Sequence, residues 1–162
     1  MNLREAVFIV PAKWSKKYKS HFFLLGERLT EGSAKGKLIP PMGKREPLKL
    51  FGKEIPIKES WRRSAIRELY EETSGMIKTR NVEYVGDIID KTYEPGAEWH
   101  IRIYTTLNPQ FREERKGKNT ELKIMGWYDE RLIDNLRETN QLNETTYKAL
   151  KMVADRLKNM TN

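Results

Sequence analysis

At 162 residues the chain has the length of one domain, and 1–162 reads as a single unit around one core. Hydrophobic residues make up 38% and charged residues 33%, which excludes a disordered or collagen-like chain. With no cysteine, disulfides, thiolate metal sites and Cys nucleophiles are excluded; zinc would have to rely on His21, His100 and carboxylates, and a hard ion on oxygen ligands is expected.

The apolar runs fall far short of the ~20 residues of a membrane-spanning helix, and the acid-bearing N-terminus lacks the character of a signal peptide. A cytoplasmic location and no membrane partner are expected. The 31 basic against 23 acidic residues give +8, which suits a nucleotide or nucleic acid and equally suits a charged, solubilising surface.

Residues 5–12 and 21–27 are rich in β-branched and aromatic side chains and predict two strands, joined by a basic loop over 14–20. Residues 30–36 have the composition of a connection, and Pro40-Pro41 keeps 38–43 extended. Residues 47–58 follow no period and are expected to be an inserted loop. Residues 59–73 predict a helix. Trp61, Ala65 and Leu69 make its apolar stripe, with Trp61 expected in the core, and Gly75 suits its end.

Two further strands are expected over 82–89 and 99–107, with a turn at Pro95-Gly96 between them. A polar loop over 108–119 leads to a strand at 122–128, a short helix at 129–136 and a final helix at 143–158 capped by Asn143. The fold class is α+β, with a mixed sheet and a central acidic helix.

On that helix Glu68, Glu71 and Glu72 stand at i, i+3 and i+4, within one turn of each other. Such a cluster either carries a divalent cation between its carboxylates or forms a solvated face balanced by Glu/Arg pairs. Around it run Pro41-Met42-Gly43-Lys44, then Glu59, and after seven residues Arg67-Glu68-Leu69-Tyr70-Glu71-Glu72.

This arrangement resembles the Nudix box. The Glu59 to Arg67 interval and each fixed place of the Arg-Glu-Leu-Tyr-Glu-Glu run match it. Two features depart from the pattern. Fifteen residues separate Gly43 from Glu59 where the family has five, so 48–57 reads as an insertion, with Gly52 as the competing box glycine. Ser74 stands where the family has glycine, which suggests a helix exit lengthened by one residue to Gly75.

The resemblance implies a Nudix-type α/β/α sandwich and Mg²⁺ or Mn²⁺ bound by Glu71 and Glu72, with Glu68 as a ligand or as the base. It implies Glu59 as the support of Arg67, and Arg67 as the group that orients the carboxylates. Gly43 and Lys44 would approach the phosphates, and Glu121, in a late loop, is a candidate further ligand or base. Glu113 and Glu114 are weaker candidates.

For the rest of the substrate, Arg102 and Lys91 are candidate phosphate contacts. Tyr93, Trp99, Tyr104, Phe111 and Tyr128 are candidate base surfaces or, alternatively, core. His21 and His100 read as structural. The activity implied is pyrophosphohydrolysis of a nucleoside diphosphate derivative, first of all a (d)NTP pyrophosphatase of the MutT type. Hydrolysis of ADP-ribose or dinucleoside polyphosphates, RNA 5′ decapping and a non-catalytic nucleotide-binding module are the alternatives. Clustering of the basic runs at 13–19 and 112–118 and the insertion on one side of the metal site would support decapping, and scattered charges would weaken it.

Overall fold

The strand that organises the fold is β1 (Asn2–Ser15), whose side chains alternate between two apolar layers. In the computed structural model, which describes residues 2–30, 35–112 and 122–161, Ala6, Phe8 and Val10 face one layer and Val7 and Ile9 the other. β1 runs parallel to β8 (Ala97–Leu107), which is antiparallel to β7 (Glu83–Asp90). On its other side β1 pairs with β2 (Ser20–Arg28), which carries β3 (Leu38–Ile39) and β9 (Leu122–Asp129). The sheet is therefore mixed, in the order β3-β2-β1-β8-β7.

Helix α1 (Trp61–Glu72) covers one face, with Ala65 and Leu69 packed on Val7, Ile9, Leu24 and Tyr104. A 3-10 turn (Glu130–Leu132), α2 (Ile133–Glu138) and α3 (Glu144–Thr161) cover the other, where Leu150, Val153 and Leu157 meet Phe8, Val10 and Ile101. The α+β sandwich is as expected, and Asn143 Oδ1 caps α3 by accepting from Thr146 N at 2.8 Å. Among the described residues no helix is long and apolar enough to cross a membrane.

β1 also changes partner along its length. It pairs with β2 at Ala12 to Ser15, whereas at Ala6 to Phe8 it pairs with β4 (Met42–Lys44). The divergence of β2 from β1 opens a cleft between them, beside the end of α1.

Three expectations are corrected. First, 47–58 is a hairpin of β5 (Pro47–Leu50) and β6 (Lys53–Lys58), not a loop. Its two-residue turn has both Phe51 (φ 52°) and Gly52 (φ 78°) left-handed, the turn whose twist matches antiparallel strands. Pro56 falls where the pairing is irregular, so it breaks no ladder.

Second, the chain stays in strand to Ser15 and resumes at Ser20, so the basic loop shrinks to a tight turn. Third, the helix exit is not lengthened. α1 ends at Glu72, Thr73 caps it by donating its hydroxyl to Leu69 O at 2.7 Å, and Ser74 itself takes the left-handed conformation at φ 50°. A side chain there costs roughly 1–2 kcal/mol. Ser74→Gly is therefore expected to raise unfolding stability by about 1 kcal/mol in urea titrations, with an unchanged denaturant slope.

Candidate active site

Ser60 starts α1 by accepting from Arg63 N at 3.2 Å, and the register this sets brings Arg67, Glu68, Glu71 and Glu72 to the side facing β4. The guanidinium of Arg67 then gathers the site. Its Nη2 donates to Glu59 Oε1 at 2.6 Å and to the Lys44 carbonyl at 2.9 Å. Its Nη1 donates to Glu68 Oε1 at 2.6 Å and Glu71 Oε2 at 3.2 Å. Glu59 is buried and also accepts from Ser64 Oγ at 2.7 Å and Glu46 N at 3.1 Å. Burial raises the Glu59 carboxyl pKa, but these donors, Arg67 first, outweigh it and hold it below the usual carboxylate range.

Glu68 is pushed the other way, to about 8. It is only 6% exposed, and burial is the main cause. Arg67 opposes it, but its charge is shared with Glu59 and Glu71, while the carboxylates of Glu71 and Glu72 add to the rise.

Gly43 permits this packing. It pairs with Val7 in β4, and a side-chain carbon on it would fall on the Glu68 carboxyl group. At Gly52, on the distant hairpin tip, such a carbon would meet nothing within 4 Å. Gly43 is thus the glycine beside the carboxylates, and the hairpin bridges the gap to Glu59. Glu59 N donates to Glu46 O at 2.9 Å, closing the base of the hairpin.

Gly43, Lys44, Glu68, Glu71 and Glu72 line one cavity of about 640 Å³, with Glu46 beside them. Its remaining walls come from Arg28, Thr30, Ile39 and Met42, from Tyr93, Glu94, Trp99 and Ile101, and from Asp90, Asn143 and Thr145. Of the aromatic candidates, Tyr93 and Trp99 are brought here. Lys44 Nζ lies 5.8 Å from the Trp99 ring.

Arg102 and Tyr104 do not line the cavity, contrary to expectation. Alternation along β8 turns Trp99, Ile101 and Ile103 to the layer that continues into the cavity and His100, Arg102 and Tyr104 to the α1 side. Tyr104 is buried against α1. Arg102 lies 3.4 Å from Asp87 and stacks on Trp61, which is half-buried between Arg102 and Arg45 and not fully in the core.

Lys91 is exposed and pairs with Glu98, Phe111 packs against Trp127, and Tyr128 packs on the α3-side core. His21 is buried beside Trp14, and His100 faces Asp87. Glu113, Glu114 and Glu121 lie outside the described residues. Arg28, Thr30 and Thr145 escaped sequence reading because no local pattern marks them. They meet only where β2 diverges from β1.

The donor chemistry fits a hard dication. The cavity presents the carboxylates of Glu68, Glu71 and Glu72, with Glu46 beside them, while the one soft atom nearby, Met42 Sδ, accepts from Arg28 Nη1 at 3.5 Å; one carboxyl is crowded by like charge that a cation would relieve. Among the described residues, no three such side chains converge tightly enough to hold an ion as they stand, because Arg67 draws Glu68 and Glu71 to itself.

No family model matches the chain, and no curated protein does. Solved structures do. The NUDIX hydrolase of Alicyclobacillus acidocaldarius is 13% identical with TM-score 0.67, covering 96% of this chain and 92% of its own. The NUDIX domain of Shewanella oneidensis NrtR, solved with ADP ribose, is 14% identical with TM-score 0.65, covering 97% and 90%. A Caenorhabditis elegans Ap4A hydrolase in a binary complex is 16% identical with TM-score 0.56, covering 96% and 98%. The chain therefore has the Nudix fold.

The direction of the Glu68 shift sets a pH dependence. Because its folded pKa is raised, the native state holds a proton that the unfolded chain releases. Stability is favoured near pH 4.5 and falls as pH rises towards about 8, by at most about 1.4 kcal/mol per pH unit. Chemical denaturation of the metal-free protein between pH 5 and 8 is expected to show this slope, and Glu68→Gln to remove it. Gly43→Ala, which forces a methyl group onto Glu68, is expected to destabilise the fold by about 1–3 kcal/mol in the same assay.

Proposed function

We propose that the protein is a divalent-metal-dependent pyrophosphohydrolase of the Nudix family, acting on a nucleoside diphosphate derivative and first of all on a nucleoside triphosphate. The observation that carries this reading is the meeting of Glu68, Glu71 and Glu72 with Gly43 and Lys44 at one end of a cavity large enough for a nucleotide. Arg67 and Glu59 hold the arrangement from behind.

Glu71 and Glu72 would hold Mg²⁺ or Mn²⁺, with Glu68 and Glu121 as the further candidates. The ion, when bound, neutralises the diphosphate and acidifies water. Glu68 favours its own proton as the protein stands; with the dication bound beside it the carboxylate form would be favoured and could take a proton from the attacking water. Lys44 lies beside Gly43 to meet phosphate, and Arg67 keeps Glu68 and Glu71 in place. Attack by water on a triphosphate would give a monophosphate and pyrophosphate.

ADP ribose, bound by one fold neighbour, and Ap4A, hydrolysed by another, belong to the same chemical class. A cytoplasmic location accords with it. Of the run at 112–118, residues 113–118 lie outside the described residues; the other basic segments do not favour an RNA chain. Lys58 of the hairpin pairs with Glu5 near one end of β1, whereas Lys13 and the turn after it stand at the other end, ~30 Å away at strand rise.

Wild-type protein with Mg²⁺ is expected to release pyrophosphate or a monophosphate from a panel of nucleoside triphosphates, dinucleoside polyphosphates, ADP-ribose and capped RNA. Glu72→Gln is expected to lose about a hundredfold or more. Activity retained in that variant, or absent from wild type with every substrate, defeats the reading.

A further inference from the structure

Away from the carboxylates, the cavity has open hydrogen-bonding capacity of mainly one kind. Arg28 Nε and Trp99 Nε1 are shielded from water and have no hydrogen-bond partner, and both residues line the cavity. Thr30 Oγ1 is in the same condition on the same wall. Buried polar groups are rarely left so, and Trp99 is only 6% exposed. The guanidinium and indole nitrogens can only donate.

Unlike the Thr30 hydroxyl, the carboxylate of Asp90 and the amide oxygen of Asn143 on this wall are already engaged. Asp90 Oδ1 accepts from Thr92 N at 2.7 Å, Thr92 Oγ1 at 2.8 Å and Tyr93 N at 3.1 Å, and Asp90 Oδ2 accepts from Thr145 Oγ1. Asn143 Oδ1 is committed to capping α3. The Tyr93 ring lies beside both side chains, its centroid 5.9 Å from Arg28 Cζ and 5.5 Å from the centre of the Trp99 ring, which it meets edge-on.

We propose that Arg28 and Trp99 read the acceptor edge of a nucleobase, so that within its nucleotide substrates the cavity takes a 6-oxopurine, hypoxanthine or guanine, in preference to adenine. The proposal rests on the pyrophosphohydrolase reading. O6 and N7 of an oxopurine are adjacent acceptors of the kind that arginine pairs with in guanine. Adenine puts an amino donor in place of O6, and a donor facing donors in a buried site leaves both unpaired. The entering base displaces the Tyr93 ring from Arg28 and Trp99 and stacks against it. A site built around such hydrogen bonds discriminates more sharply than an apolar slot.

The test is kcat/KM with Mg²⁺ for ITP, GTP and ATP, with ITP and ATP as the decisive pair because they differ only at the six-position edge. ITP is expected to exceed ATP by about tenfold or more. Trp99→Phe, which keeps a ring and loses the N–H, and Arg28→Met, which keeps the stem and loses the donor, are each expected to move that ratio towards unity. Equal values for ITP and ATP in the wild type overturn the proposal, and so does an undiminished ratio in both variants. Metal-free calorimetry with IDP and ADP separates the two readings. Preference for IDP without hydrolysis of any nucleotide sinks the hydrolase and spares the base preference. Hydrolysis with no preference does the reverse.

Discussion

Five N–H donors on one planar fork join parts of the chain that have no other reason to meet. Arg67 binds the residue that precedes its own helix, Glu59, the carboxylates on the helix itself, Glu68 and Glu71, and the backbone of β4 at Lys44. A lysine would offer a point charge without the fork, and so could not hold Glu59 and the Lys44 carbonyl from one nitrogen while another spans two carboxylates. Because Glu59 is buried and held ionised, the pair cannot relax by neutralising either partner, and removing one would strand the other.

That arrangement also explains why the cluster on α1 is under electrostatic tension. One guanidinium faces Glu59, Glu68 and Glu71, with Glu72 also close to Glu68, so positive charge is short where Glu68 is most desolvated. The protein as it stands responds by favouring a proton on Glu68. A dication supplies the missing charge from outside, and the same deficit therefore links protonation, stability and the capacity for metal.

The sequence makes the helix legible because three signals coincide there: an apolar period, an acidic triplet and the interval from Glu59 to Arg67. β1 is legible as a buried strand, but its run is apolar without a break, so which side chain enters which layer shows only in the structure. The hairpin at 47–58 is hidden because its side chains are mostly exposed on both faces, so no alternation betrays it, and its one local signal is the Phe51-Gly52 turn. Arg102 and Tyr104 mislead for a related reason. Residue type suggests affinity for a nucleotide, but parity along β8 decides which side they face, and the sequence does not say which parity belongs to the cavity. Tyr93 and Trp99 are legible as aromatics near a turn, whereas Arg28 becomes a wall residue only through the parting of β2 from β1.

The closed base of the hairpin has a further meaning. Glu46 and Glu59 are thirteen positions apart, yet each donates its backbone N–H to the other residue, Glu46 to the Glu59 carboxylate and Glu59 to the Glu46 carbonyl. The loop from Gly43 to Glu59 is thus short in space and long in sequence, a detour that leaves and returns at the same point. A rule that counts residues along the chain passes over this loop; a rule that follows hydrogen bonds from glycine to glutamate to arginine meets it unbroken. The hairpin is accordingly a place where the chain can change length, composition or attached cargo while the geometry around Arg67 remains the same.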